Sequence, residues 1–346
     1  MKVSVVVPVY QVSAYIERCI RSVMYQTYKD VECIIVDDAT QDDSIEKCQQ
    51  LIGDYRGRIR FKILHHKVNS GLSFARNTGT DAASGSYIFY LDGDDEISSD
   101  CIEKLVKPCL IDNSIEMVMG GTARHHNGKQ TYKILLEKDF LTKESVRNYF
   151  FSKNGFYVGA WNKLIRKDFI VKNKLYFKEG LLYEDQLWTF GVVKHLSHLY
   201  RIPDITYSYY IRPHSITTGT IKETASRHWC LIYDEIAHHF TPRESGREAK
   251  FYAKGLCVRY VEYHWCKEKQ KFIDYYINAL SDSKYVLDKY LLKTTVSLSE
   301  SKVGWTFLYF LVSIVKSYSN KHQPKVFSVE NDEKTTFYRR LRFLGL

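Results

Sequence analysis

The 346-residue sequence has no Cys-x-x-Cys pair, and its eight cysteines (Cys19, Cys33, Cys48, Cys101, Cys109, Cys230, Cys257 and Cys266) fall at no spacing typical of zinc. Reduced, mostly buried thiols are the expectation. No G-x-G-x-x-G follows the first apolar run and no G-x-x-x-x-G-K-[ST] occurs anywhere, so the usual glycine-loop phosphate cradles are absent. Any phosphate must be neutralised another way. The apolar run Trp305–Val315 has eleven residues, about 16 Å as a helix at ~1.5 Å per residue, against roughly 30 Å for a bilayer core. It is too short to span one. The N-terminal run Val3–Val9 is broken by Ser4 and Pro8, carries one lysine before it and Glu17 soon after, and lacks a small-residue cleavage site. That reads as a chain without a signal peptide, hence cytoplasmic. There is no internal repeat and no low-complexity linker.

What is present is a globular composition, 45% hydrophobic and 26% charged, long enough for one large domain or two ordinary ones. Lys and Arg number 50 against 40 Asp and Glu, a net charge of +10, which points to an anionic partner: nucleic acid, a phosphate-bearing small molecule or an anionic membrane surface. The 27 tyrosines suit partly wet surfaces such as sugar clefts and membrane interfaces, or a tyrosine-rich core.

Residues 3–91 alternate strand and helix patterns. Val3–Pro8 is a β-branched run suited to a buried parallel strand. Ser13 is placed to cap a helix whose apolar positions Ile16, Cys19, Ile20, Val23 and Met24 share one face of a 3.6-residue period. Val31–Val36 predicts a second strand ending in Asp37-Asp38, and Asp42 starts a helix carrying Ile45, Cys48, Leu51 and Ile52. A third strand through Ile59, Phe61 and Ile63, a helix over 71–83 and a fourth strand Tyr87–Leu91 complete the series. Such alternation predicts an α/β fold with a mostly parallel sheet, in which ligands bind beyond the carboxyl ends of strands. Pro8 and Tyr10, Asp37 and Asp38, and Asp92-Gly93-Asp94-Asp95 all fall at those ends. An Asp-x-Asp there offers hard oxygens to Mg²⁺ or Mn²⁺, which take their remaining ligands from substrate phosphates and water. The plainer alternative is an acidic turn capping the next helix.

Taken together, Val5–Tyr10, Gln26-Thr27-Tyr28, Ile35–Asp42, Gly71–Gly79 (GLSFARNTG) and Tyr90–Asp95 (YLDGDD) make the chain resemble a family 2 glycosyltransferase of the GT-A fold, of the bacterial cell-envelope polysaccharide type. The resemblance covers about residues 1–220, with a nucleotide-sugar half over 1–115 and an acceptor and catalytic half over 116–220. It implies a nucleotide-diphosphosugar donor, UDP-linked, and a Mn²⁺ or Mg²⁺ cofactor. Pro8 and Tyr10 would line the base pocket, Asp37 or its neighbour Asp38 would bind the uracil edge, and Arg76 would approach base and diphosphate. Asp92 would lie near ribose and sugar and Asp94 on the metal. The structural alternatives are loop packing for Tyr10, a helix-terminus anion for Asp37, and a surface ion pair of Arg76 with Asp81 or Glu46.

Sugar transfer also needs a base for the acceptor hydroxyl. The resemblance assigns this to the Glu184-Asp185 pair, Asp185 as base and Glu184 as a positioning group, although two acids also suit a helix N-terminus. Gly159–Leu164 resembles an acceptor-side segment in which Trp161 either stacks on a sugar or packs in the core. Arg212, in Tyr209–Thr217, would pair with the diphosphate, with His214 or Ser215 adding phosphate or metal contacts. Inverting transfer of a hexosyl or N-acetylhexosaminyl group to a glycan or lipid-linked acceptor is implied. The other readings are a nucleotide-sugar-binding protein without turnover and a nucleotidyltransferase on a similar fold. Nucleic acid is excluded as partner, since the basic residues are dispersed and match no recognition motif.

From residue 221 the pattern turns helical. Trp305–Val315, flanked by Lys302, Lys316, Lys321 and Lys325, and the basic-aromatic Tyr338–Phe343 are read either as a core helix with a solvated tail or as anchors on an anionic membrane surface. The second reading makes the protein peripheral at the inner face of the cytoplasmic membrane.

Overall fold

Val3–Val9 forms strand β1, and every residue of it is buried, as a β-branched run with parallel partners on both sides must be. A computed structural model describes residues 1–150, 158–212, 215 and 222–238. Strands β2 (Val31–Asp37), β3 (Arg60–His65) and β4 (Tyr87–Tyr90) follow β1, separated by helices α1 (Ile16–Met24), α2 (Ser44–Asp54) and α3 (Leu72–Ala82). All four strands run parallel in the order β3-β2-β1-β4. The buried residues of α1 are the five read from its period. Ser13 does not cap that helix, however. Tyr15 occupies the N-cap position without a side-chain bond, because Ser13 is engaged by the second helix: its N–H donates to Asp42 at 2.9 Å and its hydroxyl receives Lys47 at 2.7 Å. Proline within β1 is tolerated at Pro8 because β4 pairs with β1 only as far as Val6, so the missing N–H faces a side where the neighbouring strand has ended.

Beyond β4 the sheet becomes mixed. The two-residue β5 (Glu96–Ile97) and α4 (Cys101–Ile111) precede β6 (Met117–His126), β7 (Lys129–Ile134), β8 (Asp139–Thr142) and α5 (Lys143–Phe150). Next come β9 (Lys163–Arg166), α6 (Lys167–Lys172), α7 (Glu184–His195) and β10 (His198–Tyr210). Strand β9 is antiparallel to both β4 and β6, whereas β10 runs parallel to β6 and antiparallel to β5 and β8. The register of β10 against β6 shifts between Arg201 and Tyr207. Gln26 ties the layers: fully buried, it donates to the Ser22 and Ser98 carbonyls at 2.9 and 2.7 Å and accepts from the Ile102 N–H at 3.0 Å.

The chain divides into two compact units, Met1–Phe150 with Phe156–Gly219, and Phe151–Gly155 with Thr220–Leu346. In the second, helix α8 (Lys222–His238) buries Ala225, Trp229, Ile232 and Ile236, a single helical face. The segments read as membrane anchors, Trp305–Val315 and Tyr338–Phe343, lie outside the described residues. Among the described residues no helix is long and apolar enough to cross a membrane. Cys19, Cys33, Cys48, Cys101 and Cys109 are buried free thiols.

The N-terminal edge carries an acid-sensitive clasp. Burial pushes the Glu32 carboxyl up, but hydrogen bonds from Lys2, Ser4 and Ser84 together outweigh it and bring it down to about 2. A carboxyl depressed in the folded state contributes stability that is present above its unfolded value and lost as pH falls toward the folded one. Denaturant midpoints of the wild type should therefore drop more steeply than those of Glu32→Gln from about pH 5 to about pH 2. Parallel curves would exclude the clasp.

Candidate active site

The carboxyl ends of β1, β2 and β4 form one rim, as the strand order requires. Tyr10 stands there 39% exposed beyond buried Pro8. The adjacent acids Asp37 and Asp38, inseparable in sequence, are distinct in the fold. Both Asp38 oxygens are consumed inside the protein, accepting the Ser70 and Gly71 N–H groups at 2.8 and 2.7 Å and contacting His66 Nδ1 at 2.8 Å. Asp38 thereby anchors the loop that enters α3. Asp37 accepts the Thr40 N–H at 2.9 Å and meets His65 Nδ1 at 2.8 Å, and the His65 side chain is half exposed, so this pair lies at the edge of the rim.

Arg76 is the hub of the site. It projects from α3, is 1% exposed, and carries three carboxylates. Its Nη1 donates to Glu184 at 2.6 Å and to Asp185 at 3.0 Å, and its Nη2 donates to Asp92 at 2.8 Å. The surface pairing with Asp81 or Glu46 is excluded: Asp81 instead accepts the Tyr176 hydroxyl at 2.8 Å. A planar guanidinium with several fixed donors can hold groups from three chain segments at once, which an ammonium cannot. Glu184 and Asp185 enter on the first turn of α7 after Tyr183, which adopts a left-handed φ of 62°. Burial raises both carboxyls. Asp185 raises Glu184 further, while Arg76 opposes the shift in both.

The DGDD loop divides its acids. Asp95 is fully buried and structural, accepting the Tyr207 hydroxyl and the Tyr210 N–H, each at 2.8 Å. Gly93 permits a close approach, since a Cβ there would lie 3.0 Å from the Pro8 carbonyl and 3.2 Å from Val12. Asp94 accepts a hydrogen bond from Arg212 Nε, and its backbone carbonyl accepts Arg18 Nη2 at 2.7 Å. The Arg18 guanidinium lies 3.6 Å over the Tyr210 ring. Asp94 and Arg212, given separate roles on metal and diphosphate by the sequence, are thus brought together as an ion pair where β10 ends.

The donor chemistry at Asp92 and Asp94 suits a hard divalent cation. Burial and then Asp92 push the Asp94 carboxyl up, a repulsion that a cation would relieve. Among the described residues no three His, Cys, Asp or Glu side chains converge to hold an ion unaided. Asp92, Asp94, Glu184 and Asp185 are paired with Arg76 and Arg212, and Lys163 adds a favourable charge near Asp185.

Of the remaining candidates, Trp161 packs rather than presents a face. It is 6% exposed and stacks on Tyr207 and Tyr209 with ring centroids 4.4 and 5.5 Å apart. Ser215 lies in the segment after β10, and His214 lies outside the described residues. Sequence reasoning passed over Arg18, Asn162, Lys163 and Tyr207. Arg18 sits between Glu17 and Cys19 on α1 and reads as surface charge. Asn162-Lys163 carried a signal, since two polar residues directly precede the apolar pair Leu164-Ile165.

The Glycosyl transferase family 2 model matches residues 4–173. The chain is 32% identical over 235 residues to the uncharacterized glycosyltransferase EpsJ of Bacillus subtilis, covering 65% of this chain and 66% of EpsJ. It is 34% identical over 214 residues to the poly(ribitol-phosphate) beta-N-acetylglucosaminyltransferase TarP of Staphylococcus aureus, covering 61% of this chain and 62% of TarP. The match thus spans less than two-thirds of these relatives' length. S. aureus TarS 1–349, solved in complex with UDP-GlcNAc, superimposes with a TM-score of 0.67 at 19% identity, over 95% of this chain and all of that one. The Pyrobaculum calidifontis mannosyltransferase PcManGT, with GDP-Man and Mn²⁺, gives 0.54 at 15% identity, over 92% of this chain and 87% of that one. At those identities the likeness is one of fold, the GT-A fold. The matched segment contains the rim acids Asp92 and Asp94 and the arginine that gathers the acids, and residues 4–173 of the chain form a glycosyl transferase family 2 domain.

Proposed function

We propose that this chain is an inverting glycosyltransferase that moves a sugar from a UDP-linked donor to a hydroxyl of a glycan or lipid-linked acceptor in cell-envelope polysaccharide synthesis. The observation that carries the reading is Arg76 joining Asp92 at the donor rim to Asp185 at the start of α7. One buried group thereby links the place for the donor sugar to a carboxylate suited to the acceptor. The UDP-GlcNAc in the TarS complex and the activity in TarP's name support the donor class.

Tyr10 and Asp37 take the nucleotide base, and Asp92 takes the ribose and sugar. Asp185 accepts the acceptor hydroxyl's proton as that oxygen attacks the anomeric carbon from the face opposite the diphosphate. The bond to the leaving oxygen breaks in the same displacement, so the configuration inverts. A Mn²⁺ or Mg²⁺ ion bound through Asp94 would offset the charge developing on the diphosphate. Arg212, already at Asp94, is within the same corner to pair with it. Peripheral attachment to an anionic membrane through the C-terminal third belongs to this reading as well, and liposome co-sedimentation of the full chain against one ending before Ser301 tests it.

The direct test is release of UDP or GDP from a panel of nucleotide sugars with Mn²⁺, with and without acceptor glycans. No turnover of any donor, with nucleotide still bound, would replace the enzyme reading by that of a binding protein. Because burial and Asp92 hold the Asp94 carboxyl up, its proton competes with the metal. Mn²⁺ affinity in the presence of a UDP-sugar, whose diphosphate has no terminal phosphate to protonate, should therefore be weaker at about pH 5 than at about pH 7, and Asp94→Asn should reduce that difference. Equal Mn²⁺ affinity at both pH values in the wild type would remove Asp94 from the metal.

A further inference from the structure

Tyr207 lies in β10 just past the register shift, where it pairs with Ile97 of β5 on one side and Thr122 of β6 on the other. It is 1% exposed, and its ring is stacked on that of Trp161, with centroids 4.4 Å apart and planes within 15°. Trp161 is held in turn by its neighbour. Asn162 adopts a φ of 57°, donates its side-chain amide to the Gly120 and Gly121 carbonyls at 2.7 and 2.9 Å, and accepts the Thr206 hydroxyl at 2.7 Å. These contacts fix where the Tyr207 hydroxyl points.

A phenol can both donate and accept hydrogen bonds, and this one does both. It donates to Asp95 at 2.8 Å and accepts the Asp92 N–H at 3.3 Å. One residue earlier the Leu91 N–H still reaches the Val6 carbonyl of β1 at 3.0 Å, and beyond Asp92 the loop closes on itself, the Asp95 N–H donating to the Asp92 carbonyl at 3.0 Å. The second Asp95 oxygen accepts the Tyr210 N–H at 2.8 Å, two residues before Arg212, which pairs with Asp94. Tyr207 and Asp95 thus fasten the loop and the end of β10 to one point. Packing alone does not ask for the hydroxyl, because a phenylalanine would fill the same space and stack in the same way, at the cost of a buried carboxylate short of a donor.

We propose that Tyr207 is a positioning residue for the DGDD loop: its hydroxyl, oriented by Asp95, holds the Asp92 backbone and so sets the Asp92 carboxylate against Arg76 and the Asp94 carboxylate against Arg212. Two carboxylates that must meet one ligand gain from being held in register, since a displacement of about 1 Å can cost on the order of 10²-fold. Trp161 serves the rim through this stack, as the support of the tyrosine. As a statement about donor handling, this rests on the reading of the rim given above.

The test is amide exchange of the full chain, read residue by residue by NMR, in the wild type and in Tyr207→Phe, which keeps the ring and its stack on Trp161. The Asp92 amide should exchange about tenfold or more faster in the variant, the effect of losing a buried hydrogen bond, while the Leu91 amide, bonded to Val6, stays within about twofold. A general loss of stability would move both together. An unmoved Asp92 amide overturns the proposal. Should the variant not fold, the wild-type Asp92 amide decides: exchange at the unprotected rate overturns the tether, and protection like that of Leu91 upholds it. Calorimetric binding of UDP with Mn²⁺ gives the second readout, expected to be about tenfold weaker in Tyr207→Phe. Equal affinity beside a faster Asp92 amide would make Tyr207 a structural tie alone and overturn its positioning role. Failure of the wild type to bind UDP would remove the donor reading and leave the tether to be decided by exchange.

Discussion

Asp185→Asn is expected to lower single-turnover sugar transfer by about 10²–10⁴-fold, the range of a positioned general base, while nucleotide affinity stays within about twofold. The amide keeps the shape of the carboxyl and can still accept from Arg76 at one oxygen, so the fold and the donor rim are preserved. What it cannot do is take a proton. The loss should fall on kcat, with KM for the donor nearly unchanged, because the affected interaction forms only as the acceptor oxygen attacks. Transfer at the wild-type rate would remove Asp185 from the chemistry and turn the search to Glu184, which shares the same arginine.

Arg76→Met should be the most damaging single change to the first unit. The guanidinium is 1% exposed and is the common partner of Asp92, Glu184 and Asp185. Removing one partner of a buried ion pair leaves uncompensated charge, at a cost of about 3–5 kcal/mol. Here three carboxylates lose their shared cation, and they will relieve the strain by taking up protons. The deficit should therefore shrink as pH falls, the sign opposite to that of the Glu32 clasp, since these acids would titrate above their unfolded values. Arg76→Lys should recover part of the stability and little of the transfer, because one ammonium cannot span Asp92 and Asp185 in the geometry of two guanidinium nitrogens. Denaturation of both variants at about pH 5 and about pH 8 measures this. A loss under about 1 kcal/mol, typical of exposed pairs, would show that Arg76 is not the hub.

Much of the first 95 residues was legible because their signals are local. Parallel strands buried on both faces must be apolar throughout, and helices lying on them must repeat near 3.6 residues. The buried face of α1 therefore coincides with the one read from its period. Acids at strand ends could be assigned to one rim before any coordinate, because connection rules fix where those ends lie. The strands after residue 115 were not legible in the same way. Strand β9 is four residues long and antiparallel to its neighbours, and β10 changes register midway, so neither leaves a clean alternation. Ser13 illustrates the limit of local signals: its spacing suits a cap, yet Asp42 and Lys47 on another element claim it.

Within the site the same division holds. The sequence by itself determined which residue types stand at the rim, acids prominent among them, since connection rules bring those strand ends together. It could not decide between Asp37 and Asp38, nor what Arg76 meets, nor whether Trp161 faces a sugar or a tyrosine. Those answers depend on groups distant in the chain, from Asp38 with Ser70 and Trp161 with Tyr207 to Arg76 with Glu184 and Asp185, or Asp94 with Arg212. A buried charge is defined by its partners, and partners are assembled by the tertiary fold.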